Sequence, residues 1–230
     1  MMASDQKIIL ITGASRGIGF AAAQLLSRRG AHVIIASRDQ RRAELAASKI
    51  GCESVQLDIT DKKSCAAAAD FVKGQFGRLD VLVNNSAILL DHYGNILNLK
   101  AEMLSETLET NLIGTLRITQ EFLPLLMNSK DPLIINLSSG AGQLDGEPQP
   151  WAPAYSISKT ALNMLTQQLS VALPDVTVNS MCPGWCRTEM GGEDAPLTPE
   201  EVADTLVWLA LDAPRTLRGK FLKERTVIPW

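Results

Sequence analysis

Tyr155 and Lys159 stand four residues apart in the stretch "PAYSISKTALN", Pro153 to Asn163. On a helix that spacing puts both side chains on one face. A phenol with a pKa near ~10 is a poor acid or base at neutral pH unless a neighbour tunes it. An ammonium beside it stabilises the phenolate, which is expected to draw the Tyr155 pKa down towards working pH and make the pair a proton-transfer device. Pairs of this kind are also common on helices that do no chemistry, so the assignment depends on what the rest of the chain brings to them.

The first such feature is "TGASRGIG", Thr12 to Gly19, where a β-rich apolar run meets a helical stretch. Gly13 permits a sharp turn out of the strand. Gly17 and Gly19 permit close backbone approach to a pyrophosphate and close helix–strand packing. The helix start adds N–H donors and the positive end of a dipole. Between a first strand and a first helix, this pattern points to a dinucleotide. The second strand ends "IIASRD", so Ser37 and Arg38 stand where NAD-preferring sites carry a carboxylate on the ribose hydroxyls. Asp39 falls one step later and is expected to cap the next helix. An arginine binds a 2′-phosphate that a carboxylate would repel. With Arg16 as a second cation, the pattern favours NADP(H) over NAD.

These residues need a frame. Short apolar runs alternate with amphipathic stretches: strands at 7–12, 32–37, 54–58, 79–84, 132–138 and 176–181, helices near 17–29, 39–49, 61–75, 101–128, 154–172 and 199–211, and a last short strand at 219–223. The strands are continuously apolar, as parallel strands covered on both faces are. The alternation predicts right-handed crossovers and a Rossmann-type α/β fold, a doubly wound parallel sheet with helices on both faces, as one dinucleotide-binding domain over 1–230. Each of the six main strands ends in a distinctive polar group: Gly13, Arg38, Asp58, Asn84 with Asn85, Ser138 with Ser139, and Pro183 with Gly184. Ligands bind outside those carboxyl ends in open parallel sheets.

Composition narrows the function further. The 230 residues are 46% hydrophobic with a net charge of −3, which fits a sizeable core and gives no nucleic-acid footprint. No apolar run reaches the ~18 residues of a membrane span, and the start lacks the pattern of a signal peptide. Cys52, Cys65, Cys182 and Cys186 form no C-x-x-C pair, so no metal site is expected and free thiols in a reducing cytoplasm are the simpler reading. His32 opens a strand. A histidine-based triad would need His92, and nothing in the sequence around it recommends that.

The motifs "TGASRGIG", "NNSA" (Asn84–Ala87), "TNLIGT" with Asn111, "IINLSS" ending at Ser139, "YSISK" and "PGWCRT" (Pro183–Thr188) run in order along almost the whole chain. In this they resemble the short-chain dehydrogenase/reductase family, and the ending "RGKFLKERTVIPW" with "PGWCRTEM" resembles its carbonyl reductase branch. The resemblance implies an oxidoreductase that takes hydride from NADPH and a proton from Tyr155 to reduce a small-molecule aldehyde or ketone, reversibly. It gives Lys159 a hold on the nicotinamide ribose, Ser139 the substrate oxygen, and Asn111 a water that relays protons to Lys159. Ser138 would face the other side of the strand. Cofactor contacts are implied at Gly13, Ser15, Arg16, Gly17, Ile18, Gly19, Ser37, Arg38, Asp58, Ile59, Asn84, Ala87, Tyr155, Lys159, Pro183, Gly184, Trp185 and Thr188.

Two departures from the family pattern stand out: Ala87 replaces a usual glycine, and the loop from Ser139 to Tyr155 is a few residues longer than in most relatives. Trp151, Trp185 and Met190 are candidates for an apolar substrate wall, and the loop from Cys186 to Pro196 for a lid. Two other readings are a reductase dedicated to an oxoacyl thioester, against which the acidic Glu189, Glu193 and Asp194 argue, and an NADP(H)-sensing protein without turnover, against which the complete set of four argues. Monomer and homo-oligomer both remain open.

Overall fold

The computed structural model describes residues 6–145 and 150–230, so residues 146–149 of the loop before Tyr155, and the first five residues, lie outside it. One sheet of eight strands organises the chain. They are β1 (Ile8–Thr12), β2 (His32–Ser37), β3 (Glu53–Gln56), β4 (Val81–Asn84), β5 (Leu133–Leu137), β6 (Thr177–Met181), β7 (Phe221–Lys223) and β8 (Thr226–Ile228). They lie in the order β3-β2-β1-β4-β5-β6-β7-β8. All neighbours are parallel except the last pair, which is antiparallel. The order reverses between β1 and β4, where a doubly wound sheet opens a crevice.

The continuous apolar runs are explained by burial on both faces. In β1, Ile9 and Ile11 join one core with α1 (Gly17–Arg28), α2 (Gln40–Ile50) and α7 (Pro199–Leu211). Ile8 and Leu10 join the opposite core, with α3 (Lys62–Phe76), α5 (Thr115–Leu126) and the end of α6 (Pro153–Ala172). Local signals set the helix ends: Asp39 accepts from the Arg42 N–H at the start of α2, and Gly51 closes it at φ +78°. Thr198 and Glu201 form a reciprocal capping box on α7.

Two differences from the sequence reading matter. The expected continuous helix over 101–128 is α4 (Ala101–Leu108), a π-helical turn over Glu109–Gly114, and α5. The wider turn carries Asn111 inward, and Gly114 lets Ile59 approach; a Cβ there would stand 2.9 Å from Ile59 Cγ1. β8 was not expected. Its hairpin turns through Glu224 and Arg225 at φ 49° and 64°, a conformation that sequence usually signals with Asn or Gly.

A polar seam crosses the apolar core beneath the site. Asn84 Nδ2 donates to Asn136 Oδ1 at 2.8 Å, and Asn136 Nδ2 donates to Thr166 Oγ1 at 2.9 Å. Ser180 Oγ donates to Asn163 Oδ1 at 3.0 Å. The seam links β4, β5 and β6 to α6.

Candidate active site

The carboxyl ends of β1, β4, β5 and β6 open onto a cleft of about 660 Å³. At the β1 side, helix α1 begins with no side-chain cap and no acidic residue in its first turn, so its first N–H groups stay available to an anion. Gly13 and Gly17 hold φ values of +64° and +57°. A Cβ on Gly19 would sit 2.7 Å from Asn85 Nδ2 and 2.9 Å from Ala14 Cα, so this helix lies against the β4 loop as only glycine allows. Asn85 staples the turn by donating to the carbonyls of Thr12 at 2.8 Å and Gly13 at 3.2 Å. Uncapped donors and a glycine cradle fit a bound pyrophosphate.

Of the other cofactor candidates, Ser15 and Ser37 meet side by side, Oγ to Oγ at 3.4 Å. Arg38 is exposed and enters no ion pair among the described residues. Arg16 does not stand as the expected second free cation, because it pairs with Glu189 across the cleft. Asp58 turns Oδ1 back onto the N–H and hydroxyl of Thr60. Ile59 buries its side chain in the core and gives its carbonyl to Arg117 at 2.7 Å. Asn84 points into the seam, so its side chain is turned away from the cleft, whereas Ala87 lies in the half-buried loop beyond it. Ile18, Pro183, Gly184, Trp185 and Thr188 line the cleft.

The chemical end lies between β5 and α6. Tyr155 and Lys159 occupy the first turns of α6 and are 8% and 2% exposed. The ammonium lies 5.5 Å from the Tyr155 ring centre and donates to the Leu137 carbonyl at 2.8 Å. Ser139 and Tyr155 both line the cleft, and the Ser139 hydroxyl accepts from the Ala141 N–H at 3.1 Å. Ser138 is buried and donates to the Lys159 carbonyl at 3.3 Å. Burial pushes the Tyr155 phenol up to about 12, against the smaller opposing influence of the Ser139 hydroxyl. It pushes the Lys159 ammonium down to about 7. This is the reverse of the expected effect on the tyrosine, because removing the phenolate from water outweighs a neighbour whose own charge is also disfavoured.

Asn111, 1% exposed, spends both amide donors, on the Ile88 carbonyl at 2.9 Å and on Ser158 Oγ at 3.0 Å, and accepts from the Ile88 N–H at 2.8 Å. It ties the π turn to the β4 loop and to α6, so a relay water would not find a free donor on its side chain.

The mouth of the cleft is aromatic. Trp151, Trp185 and Met190 line it, together with residues the sequence did not single out, Leu89, His92, Tyr93 and Lys223. His92 stacks on Trp151 with ring centres 5.7 Å apart, and its Nε2 lies 3.2 Å from the Met190 carbonyl. Spacing alone carries no signal for these, because they meet only when the loops after β4, β5 and β6 come together beside the end of β7. No group of three or more metal-ligating side chains forms among the described residues, and no helix among them is long and apolar enough to cross a membrane.

Residues 7–196 match the sequence pattern described as short chain dehydrogenase, and the chain belongs to that family of oxidoreductases. It is 34% identical to a short-chain dehydrogenase (anuI) of Penicillium roqueforti, covering 99% of this chain and 98% of that protein. It is 31% identical to the NADPH carbonyl reductase 1 of Sus scrofa, over 100% of this chain and 96% of the relative. Among solved structures, an NADPH-bound carbonyl reductase from chicken fatty liver superposes with a TM-score of 0.89 at 31% identity, covering 98% and 99% of the two chains.

Proposed function

We propose that this chain is one NADPH-dependent carbonyl reductase domain that reduces aldehydes or ketones of small molecules, reversibly. The observation that carries the reading is the convergence of Ser139 and Tyr155 on the wall of one cleft, with Lys159 buried behind them and the glycine cradle alongside. NADPH would be held by the N–H groups at the start of α1, by Arg38 at its 2′-phosphate, and by Lys159 and the Pro183–Thr188 loop at its nicotinamide end; when bound it supplies the hydride. The phosphate preference is supported by Arg38, which stands just past the end of β2 while the neighbouring Asp39 is turned onto the start of α2 and Arg42, and by the NADPH-linked names of the relatives above.

In this reading Ser139 donates to the substrate carbonyl oxygen and orients it. Tyr155, kept protonated by its burial, delivers the proton to that oxygen as negative charge develops there. Lys159 offsets the phenolate that results. The aromatic mouth excludes water from the polar centre. The four unpaired thiols fit a reducing cytoplasm.

Tyr155→Phe tests the reading. The variant is expected to bind NADPH as the parent does and to lose roughly 10²- to 10⁴-fold in turnover, followed as NADPH absorbance against a panel of aldehydes, ketones and quinones. Turnover at the parental rate would remove the mechanism.

A further inference from the structure

Helix α6 starts in an unusual way. Its N-cap is Ala152, which has no side-chain acceptor, and Pro153 follows. The N–H groups that a capping residue ordinarily satisfies are those of the second and third helical residues, here Ala154 and Tyr155. Both are met from a distant part of the chain. Asp91, in the loop after β4 and 4% exposed, accepts from the Ala154 N–H through Oδ2 at 2.5 Å and from the Tyr155 N–H through Oδ1 at 3.4 Å.

Asp91 is itself held tightly. Its carbonyl accepts from the Gly94 N–H at 2.8 Å, and a Cβ on Gly94 would stand 2.8 Å from that same carbonyl and 3.5 Å from Pro153 Cδ. The turn closes with Tyr93 at φ +59°, a conformation that bulky residues rarely adopt. The next residue after Asp91, His92, stacks on Trp151, one residue before Ala152. One four-residue turn therefore grips the start of the helix twice, by a carboxylate on its N–H groups and by a ring against its approach.

The geometry points to Asp91 as a positioning residue for the reaction: it fixes the first turn of α6 and, through it, the place of the Tyr155 phenol against Ser139. Lys159 does not depend on this anchor, since it lies further along the helix and is tied to Leu137. Nor does the glycine cradle, which belongs to β1 and α1. Losing the anchor lets the turn that carries Tyr155 fray while its partners stay in place, and misplacement of a reacting group by about 1 Å can cost ~10²-fold in rate.

The inference rests on the reading that Tyr155 is the proton donor. Asp91→Ala is expected to lower kcat roughly 10- to 100-fold with NADPH affinity within about threefold of the parent. Asp91→Asn keeps an oxygen for the shorter bond and is expected to restore kcat to within about threefold of the parent. A folded Asp91→Ala with parental kcat overturns the inference, whatever happens to its melting temperature, and so does an Asp91→Asn as slow as Asp91→Ala. Where Asp91→Ala does not fold, Asp91→Glu carries the test: it keeps the charge but displaces both acceptors, so it must be slower than Asp91→Asn, and the opposite order overturns the inference. Tyr155→Phe separates the two failures. Full turnover there removes the underlying reading, whereas loss there with parental kcat in Asp91→Ala removes only the role of Asp91.

Discussion

The two ends of the cleft handle charge in opposite ways. At the β1–β2 end, Arg38 is exposed and Arg16 lies in a solvent-exposed pair with Glu189, and the groups that shape the site are backbone: positive-φ glycines and the uncapped N–H groups of α1. At the β5–α6 end, Tyr155 and Lys159 are withdrawn from water and their proton equilibria move, the phenol up to about 12 and the ammonium down to about 7. An exposed cation holds a ligand without changing its own chemistry, and its loss is softened by solvent. A buried proton donor is changed by its surroundings, and nothing replaces it. Damage at the buried end should therefore cost far more than damage at the exposed end.

That contrast can be broken or sharpened by graded tests. Beyond Tyr155→Phe, the largest effect is expected from Lys159→Met, with kcat falling about 10²-fold or more. The same variant tests the shifted ammonium. As pH rises through about 7, Lys159 gives up its proton and with it the charge that offsets a phenolate, so parental reduction should slow along that limb. Tyr155 keeps its proton throughout that range and does not cause the decline. A pH–rate profile of Lys159→Met should lack the limb; a limb that persists would assign the titration to another group.

Smaller effects are expected towards the exposed end. Gly19→Ala forces a methyl into Ala14 and Asn85 and should destabilise the protein by about 1–3 kcal/mol in denaturant unfolding. Arg38→Ala removes one charged contact and should raise the NADPH KM about tenfold while leaving the NADH KM nearly unchanged. Glu189→Gln breaks a pair whose side chains are 57% and 70% exposed. It should shift stability by less than about 1 kcal/mol, read as a melting temperature. An Arg38 variant slower than Lys159→Met would reverse the comparison.

The fold was legible because its signals are local and redundant. The apolar runs, the glycine turn after β1 and the Asp39 cap all lie within a few residues of what they determine. What escaped the sequence depends on pairs far apart in the chain. The π turn exists because Asn111 reaches Ile88 and Gly114 accommodates Ile59, and no helical periodicity encodes that. Arg16 reads as a second cation for the cofactor phosphate until the β6 loop brings Glu189 to it. The sign of the Tyr155 shift depends on the depth of burial, which residue spacing does not report. Asp91 left one faint trace: a helix beginning Ala-Pro-Ala, with no residue of its own to cap it.

The polar seam beneath the cleft bears on how the chain reaches this arrangement at all. Asn84 stands opposite Asn136 on the neighbouring strand, and Asn136 opposite Ser180 on the next. Sliding β5 by one residue would take Asn136 from its Asn84 and Thr166 partners to the opposite face, packed mainly by apolar side chains of α1, α2 and α7. An amide stranded there costs about 1–3 kcal/mol, whereas the surrounding Ile, Leu and Val side chains would tolerate the slip far better. Parallel sheets assemble slowly from distant segments and have ample time to pair wrongly. The seam acts as a proofreading mark, marginal for the stability of the finished protein and strong against the misaligned one.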